Sequence, residues 1–291
     1  EIGSGLVGSE MCIRDRSYAA AQSTLLQNAG FTFAAAEAND ILALEYCRCL
    51  QKYAPQIAPL VIRRCGAGYN SSDISAEYAS ASGIRAEYAS AGLSGRILNQ
   101  IPECSHKLLE TLHSLNLLGW NTAKLDALVL YKLCMLTEQQ IAAACECTEG
   151  LEHRLKAAAV CTDMQSVVSS VSSKRYTKSR IRRLLMQLLL GNDKTIFTEA
   201  KPQYLRVLAF NSRGRSLLAQ MRKTASLPVI TKIGRNFKNC LTGDAKKDEL
   251  IIRQLQMDIN AANLLALLQN RTQNYCQTYN SDFLMQPFQQ A

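Results

Sequence analysis

Apolar residues in this chain recur mainly at helical spacing. Behind Asn39, a good N-cap, Leu42, Tyr46, Cys49, Leu50 and Tyr53 fall at i, i+4, i+7, i+8 and i+11, which predicts a helix with one apolar face. Pro55 and Pro59 end it, and Leu60-Val61-Ile62 then reads as a short buried strand. Helix followed by strand is half of a parallel α/β unit. From about Thr122 the texture changes to consecutive helices. Thr122 caps one carrying Leu125, Leu128, Val129, Leu133 and Met135, and Thr137 opens a second. Residues 149–155 open a third, and Met164, Val167, Val168 and Val171 mark a fourth. Short connections predict antiparallel neighbours. Ile181, Leu184, Leu185, Leu188 and Leu189 make a further stripe, and Gly191 stops that helix. Residues 204–210 are strand-like, 211–221 turn into a helix, and 248–268 form a long final helix.

Between the two textures lies the stretch 61–85, VIRRCGAGYNSSDISAEYASASGIR. It runs from β-branched residues through Arg63 and Arg64 and a turn at Gly66-Ala67-Gly68 to the helix start Ala79-Ser80-Ala81-Ser82-Gly83-Ile84-Arg85. Backbone N–H groups at a helix start are unpaired and carry partial positive charge, so Ser and Arg placed there suit an anion. The same pattern also fits an ordinary strand–loop–helix connection with a Ser cap.

Composition narrows the class. Hydrophobic residues at 47% and charged residues at 20% describe a globular protein, and no run of 18 apolar residues predicts a membrane span. A net charge of +9 points to a polyanionic partner, most simply nucleic acid. The 11 cysteines are scattered, odd in number and form no C-x-x-C pair, and only 3 histidines accompany them. That argues against a zinc site or a disulfide framework and for reduced, mostly buried thiols in a cytosolic protein.

No catalytic pair announces itself: G-x-S-x-G, P-loop and H-E-x-x-H patterns are missing. His153, beside Glu149 and Glu152, reads as a surface or half-buried histidine and not as a base. The run Lys174, Arg175, Lys178, Arg180, Arg182 and Arg183 places six cations in ten residues with no acid among them. It reads as a phosphate-backbone footprint, with a solvated basic face as the other account. Tyr176 within it either stacks on a base or packs.

Several segments, in order along the chain, resemble one family. Asn39-Asp40-Ile41-Leu42 is similar to the Asn-Asn-Ile-Leu-type helix start of the bacterial tRNA(Met) cytidine acetate ligases, members of the nucleotidyltransferase superfamily. Arg64-Cys65-Gly66-Ala67-Gly68-Tyr69-Asn70 resembles their Arg-x-Gly-Ala-Gly-Tyr-His segment, with Asn70 at the His position. Ala79-Ser80-Ala81-Ser82-Gly83-Ile84-Arg85 resembles their Ala-Ser-Ala-Ser-x-Ile-Arg. The segments starting at Glu149, Ser173 and Tyr204 resemble signatures of their helical domain.

The resemblance implies an α/β remnant of a Rossmann-like nucleotidyltransferase domain followed by a mostly α-helical domain, mainly helical in this chain. Residues 1–16 read as a non-native leader, 17–100 as the end of the nucleotidyltransferase-like domain and 101–291 as a helical tRNA-binding domain. The implied activity uses ATP, with Mg2+, to convert acetate to acetyl-adenylate and acetylates N4 of the wobble cytidine of elongator tRNA(Met) in the cytoplasm, away from membranes. By position, Asn39 and Arg64 would contact ATP, and Ser80, Ser82 and Arg85 its phosphates. Lys174, Arg175, Lys178, Arg180, Arg182 and Arg183 remain the candidates for RNA. A His-x-Gly-His element after a first strand has no counterpart, so the chain as given is expected not to form acetyl-adenylate. The competing expectation is a non-catalytic RNA-binding helical protein with a relic nucleotide-binding domain.

Overall fold

In the computed structural model, residues 24, 26–28, 30, 38–62, 65–67, 71–75, 77–148, 150–173, 175–198, 201–234, 241–269 and 280–289 are described. Short polar side chains set most helix starts by accepting from backbone N–H groups that have no helical partner. Ser80 caps α2 (Ala81–Ala91), Ser94 caps α3 (Gly95–Leu98) and Asn121 caps α5 (Thr122–Met135). Thr137 and Gln140 form a reciprocal capping box on α6 (Glu138–Ala143), and Asp163 caps α8 (Met164–Val171). Asn211 caps α11 (Ser212–Thr224) and Asp244 caps α12 (Ala245–Leu268). The remaining helices are α1 (Ala38–Tyr53), α4 (His106–Ser114), α7 (Leu151–Ala157), α9 (Lys178–Leu190) and α10 (Lys194–Thr198).

The chain divides into two compact units, Glu1–Ser114 with Ser173–Thr177, and Leu115–Ser172 with Lys178–Ala291. The buried apolar side chains of the second unit include those of α5 (Val129, Leu133), α8 (Val167, Val168, Val171), α9 (Ile181, Leu184, Leu185, Leu188) and α12 (Ile251, Leu255, Ile259, Ala266, Leu268). Helix α9 packs on α5, α8 and α12, and α6 packs on α7. Lys156 closes the C-terminal end of α5, its Nζ donating to the carbonyls of Leu133 (3.0 Å), Cys134 (2.8 Å) and Leu136 (2.8 Å).

Two parallel pairs of two-residue strands complete this unit. β1 (Leu205–Arg206) pairs with β3 (Val229–Ile230), and β2 (Ala209–Phe210) pairs with β4 (Phe288–Gln289). Beside them Ile230, Ile233, Leu255 and Ile259 form a small core against which Tyr204 packs. The Tyr204 hydroxyl donates to Asp258 (2.8 Å), and Arg206 bridges Asp258 (3.4 Å) and the buried Asp282 (3.2 Å). This network accounts for the Tyr-Leu-Arg segment that carried part of the resemblance: its side chains hold the strand pair to α12 and to the 281–283 turn.

In the first unit, Ile74 and Ile97 are buried, as is the Ser80 hydroxyl side chain. Three expectations change here. Leu60, Val61 and Ile62 form no strand and are 82–89% exposed, because a parallel strand is stable only with neighbours and none pairs with them among the described residues. Asn39 lies inside the first turn of α1, not ahead of it. The apolar face of α1 is exposed at Leu42, Tyr46 and Tyr53. Across the described residues of both units the thiols are also not mostly buried: Cys47, Cys49, Cys65, Cys104 and Cys134 are exposed, and Cys147 is the buried one.

Candidate functional site

The start of α2 is tied to the 71–75 loop by several hydrogen bonds. Ser80 is buried and both functions of its hydroxyl are used: Oγ accepts from the Gly83 N–H (2.9 Å) and donates to the Ser71 carbonyl. Gly83 sits so close to the 71–75 loop that an added Cβ would lie 3.3 Å from the Ser72 carbonyl carbon and oxygen. Within the loop, Asp73 accepts from the Ser75 hydroxyl (2.6 Å) and N–H (2.8 Å), and these bonds hold its carboxyl below the usual carboxylate range. Gln100 ties the loop from the other side, accepting from the Ala79 N–H (2.7 Å) and donating to the Ile74 carbonyl (3.3 Å). Gly66 has φ +88°, and its neighbour Ala67 donates to the Tyr78 carbonyl (2.9 Å). A Cβ at Gly66 would meet that carbonyl oxygen at 2.6 Å, so only glycine fits.

This fixed loop leaves donors free at the helix start. Among the described residues nothing accepts from the backbone N–H of Ala81 or Ser82. Arg85, one turn on, is exposed and has no partner among the described residues. Of the five residues assigned to ATP, the structure therefore brings Ser80, Ser82 and Arg85 together. Asn39 is exposed on α1 with no hydrogen bond to this helix start, and Arg64 lies outside the described residues.

The basic run falls on both units. Lys174 lies outside the described residues, and the Arg175 guanidinium sits 5.5 Å from the centre of the buried Tyr176 ring. On α9, Lys178 is exposed, and Arg182 donates to Gln165 (2.8 Å). Arg180 donates to the Glu146 carbonyl (3.0 Å) and the Thr148 hydroxyl (2.9 Å). Arg183 grips the Glu146 carboxylate with two bonds of 3.0 Å. A run without acids in sequence thus acquires one from the connection between α6 and α7. Sequence reasoning passed over a second basic element, α11, which carries Arg213, Arg215, Arg222 and Lys223; the available signal was the lack of any Asp or Glu from residue 200 to 243.

Residues 9–280 match the family described as HIGH Nucleotidyl Transferase. The chain belongs to that family. The match begins within the stretch that reads as a leader. Among relatives of this HIGH nucleotidyl transferase, the tRNA(Met) cytidine acetate ligase of Thermoanaerobacter sp. (strain X514) is 35% identical over 199 residues, covering 68% of this chain and 49% of that protein. The protein of the same name from Clostridium perfringens (strain ATCC 13124) is 30% identical over 253 residues, covering 86% and 57%. The chain spans about half the length of these curated relatives. The fold is shared with the crystal structure of apo TmcAL from Thermotoga maritima, with TM-score 0.79, 24% identity, and coverage of 93% of this chain and 66% of that one. A second crystal structure, of the same protein bound with alpha-thio ATP, gives TM-score 0.76 at 23% identity, covering 93% and 65%.

Proposed function

We propose that this HIGH nucleotidyl transferase serves ATP-dependent acetylation of N4 of the wobble cytidine in elongator tRNA(Met), in the cytoplasm. The carboxylate oxygen of acetate attacks the α-phosphorus of ATP, the bond to pyrophosphate breaks, and acetyl-adenylate forms. The cytidine amine then attacks the acetyl carbonyl carbon, loses a proton, and AMP leaves. Mg2+ would travel on the phosphates of ATP. The names of the relatives support the reaction class, and the alpha-thio ATP of the Thermotoga maritima structure supports the nucleotide.

The observation that carries the reading is the start of α2. The N–H groups of Ala81 and Ser82 and the Arg85 guanidinium, all without a partner among the described residues, make with the Ser82 hydroxyl a donor-rich corner for phosphate oxygens. Charge builds on those oxygens as pyrophosphate departs, and donors fixed before the reaction stabilise it without reorganising. Ser80 acts indirectly, by holding the corner in shape. Arg64 and Asn39 would complete the nucleotide contacts, and Lys174, Arg175, Lys178, Arg180, Arg182 and Arg183 would lie along the tRNA backbone.

Titration with a fluorescent ATP analogue tests the corner. Arg85→Ala should weaken binding about 10-fold or more, the scale of a lost charge-assisted hydrogen bond, while adenosine competes equally against both proteins. Equal affinity of the two proteins for the ATP analogue would remove Arg85 and this helix start from the site.

A further inference from the structure

Several arginines of the second unit are paired with carboxylates of the same unit. Arg183 is paired with Glu146, Arg206 with Asp258 and Asp282, and Arg253 with Asp193. Helix α11 concentrates four cations with no carboxylate partner among the described residues. It lies in the stretch 200–243, which contains nine Lys and Arg and no Asp or Glu. Arg213, Arg222 and Lys223 are exposed and have no hydrogen bond or ion pair among the described residues, and Arg215 donates only to the neutral amide of Gln289 (2.9 Å). None of the described residues of α11 is buried.

At 100° per residue, Arg215, Arg222 and Lys223 fall within a sector of about 100° and span roughly 12 Å along the axis. The Arg215–Gln289 bond sets this sector beside β4. There the chain forms an open cleft of about 400 Å³ lined by Ala209, Phe210, Asn211, Gly214 and Phe288. The Phe288 N–H donates to the Leu208 carbonyl (2.9 Å), which fixes its place in the wall, yet the residue is 69% exposed. Gly214 lets α11 close on Phe210: an added Cβ would stand 3.0 Å from the Phe210 Cβ.

An exposed aromatic wall next to uncompensated cations is the combination that binds single-stranded nucleic acid, because every base has a face to stack and every nucleotide a phosphate. A duplex hides its base faces, and an acidic protein surface would have no use for the cleft. We propose that α11 and the Phe210–Phe288 cleft form a docking surface for single-stranded RNA, with one base against Phe288 and the backbone along Arg215, Arg222 and Lys223. The proposal rests on the RNA-modifying reading above for the choice of ribonucleotide. Its residues all belong to the second unit, whereas the α2 corner belongs to the first.

Fluorescence anisotropy with a labelled 12-nucleotide single-stranded RNA and a duplex of equal length, using the whole chain without ATP from 50 to 300 mM salt, tests it. The single strand should bind more tightly than the duplex. Replacing Arg222 and Lys223 with Ala should flatten the slope of log K against log salt by about 1.4, near 0.7 per cation. Phe288→Leu, which keeps apolar bulk, should weaken binding roughly 5- to 100-fold, whereas Phe288→Tyr stays within about 2-fold. The proposal is overturned by an unchanged salt slope, by Phe288→Leu binding as Phe288→Tyr does, or by a duplex bound as tightly as the strand. It is equally overturned if these variants lose binding to phosphatidylserine vesicles while RNA affinity stands. Since no ATP is present, failure of the Arg85 test leaves this result readable.

Discussion

Glu146 changes the meaning of a whole charge run. It stands in the left-handed region at φ +66°, a conformation that costs a non-glycine residue about 1 kcal/mol, and its carbonyl and carboxylate hold Arg180 and Arg183. The Glu146 carboxylate also raises the Arg183 pKa, chiefly through the hydrogen bond. Glu146→Gln should release Arg183 toward a phosphate and steepen the salt dependence of tRNA binding by roughly one unit of slope; an unaltered slope would show that α9 does not face RNA. His153 is a second residue whose partners are tertiary. Its ring lies 2.9 Å from Glu138 and 3.6 Å from Glu152, and the hydrogen bond it donates to the Glu138 carboxylate raises its pKa above the ordinary histidine value. A raised pKa means that the pair stabilises the fold fully below about pH 6.5 and loses its contribution as pH climbs through the higher folded value. An NMR titration should place His153 above 6.5, and Glu138→Gln should bring it down. Arg206 is the third: its removal leaves the buried Asp282 carboxylate without a counter-charge, so Arg206→Ala should cost about 3 kcal/mol in urea denaturation.

At the scale of elements, the caps were readable because their chemistry is local. Thr137 and Gly191 act where the pattern places them, the latter with φ +75°. Asn121, one residue before the expected Thr122, takes the cap of α5, a shift within the ordinary uncertainty of helix ends. Ser80 carries more than a cap. Ser80→Ala removes an acceptor from the Gly83 N–H and a donor from the Ser71 carbonyl, and should destabilise the first unit by about 2 kcal/mol while weakening ATP binding in step. A Ser80→Ala protein with unchanged melting and unchanged ATP affinity would contradict that role. Two elements read differently once folded. The stripe of α1 has the right period but no surface to cover it among the described residues. The segment 60–62 has β-branched composition, yet strand formation depends on a partner that composition does not supply.

Among the described residues, burial is concentrated in α5, α8, α9 and α12, while residues 39–62 bury no side chain fully. Local stability follows burial, so native-state hydrogen exchange should be slowest in α5 and α9 and fastest in α1. Comparable protection in α1 and α9 would contradict this picture. The sequence by itself determined the helices of the second unit, the break at Gly191, and the ordered segments that identify the family. Period, cap and turn chemistry are written within a few residues of where they act. Only the tertiary structure decided which charges are spent. Arg183 is answered by Glu146, 37 residues away, and Arg206 by Asp258 and Asp282, while the α11 cations beside Phe288 meet no carboxylate among the described residues. Charge compensation depends on distance in space, which a linear pattern does not contain.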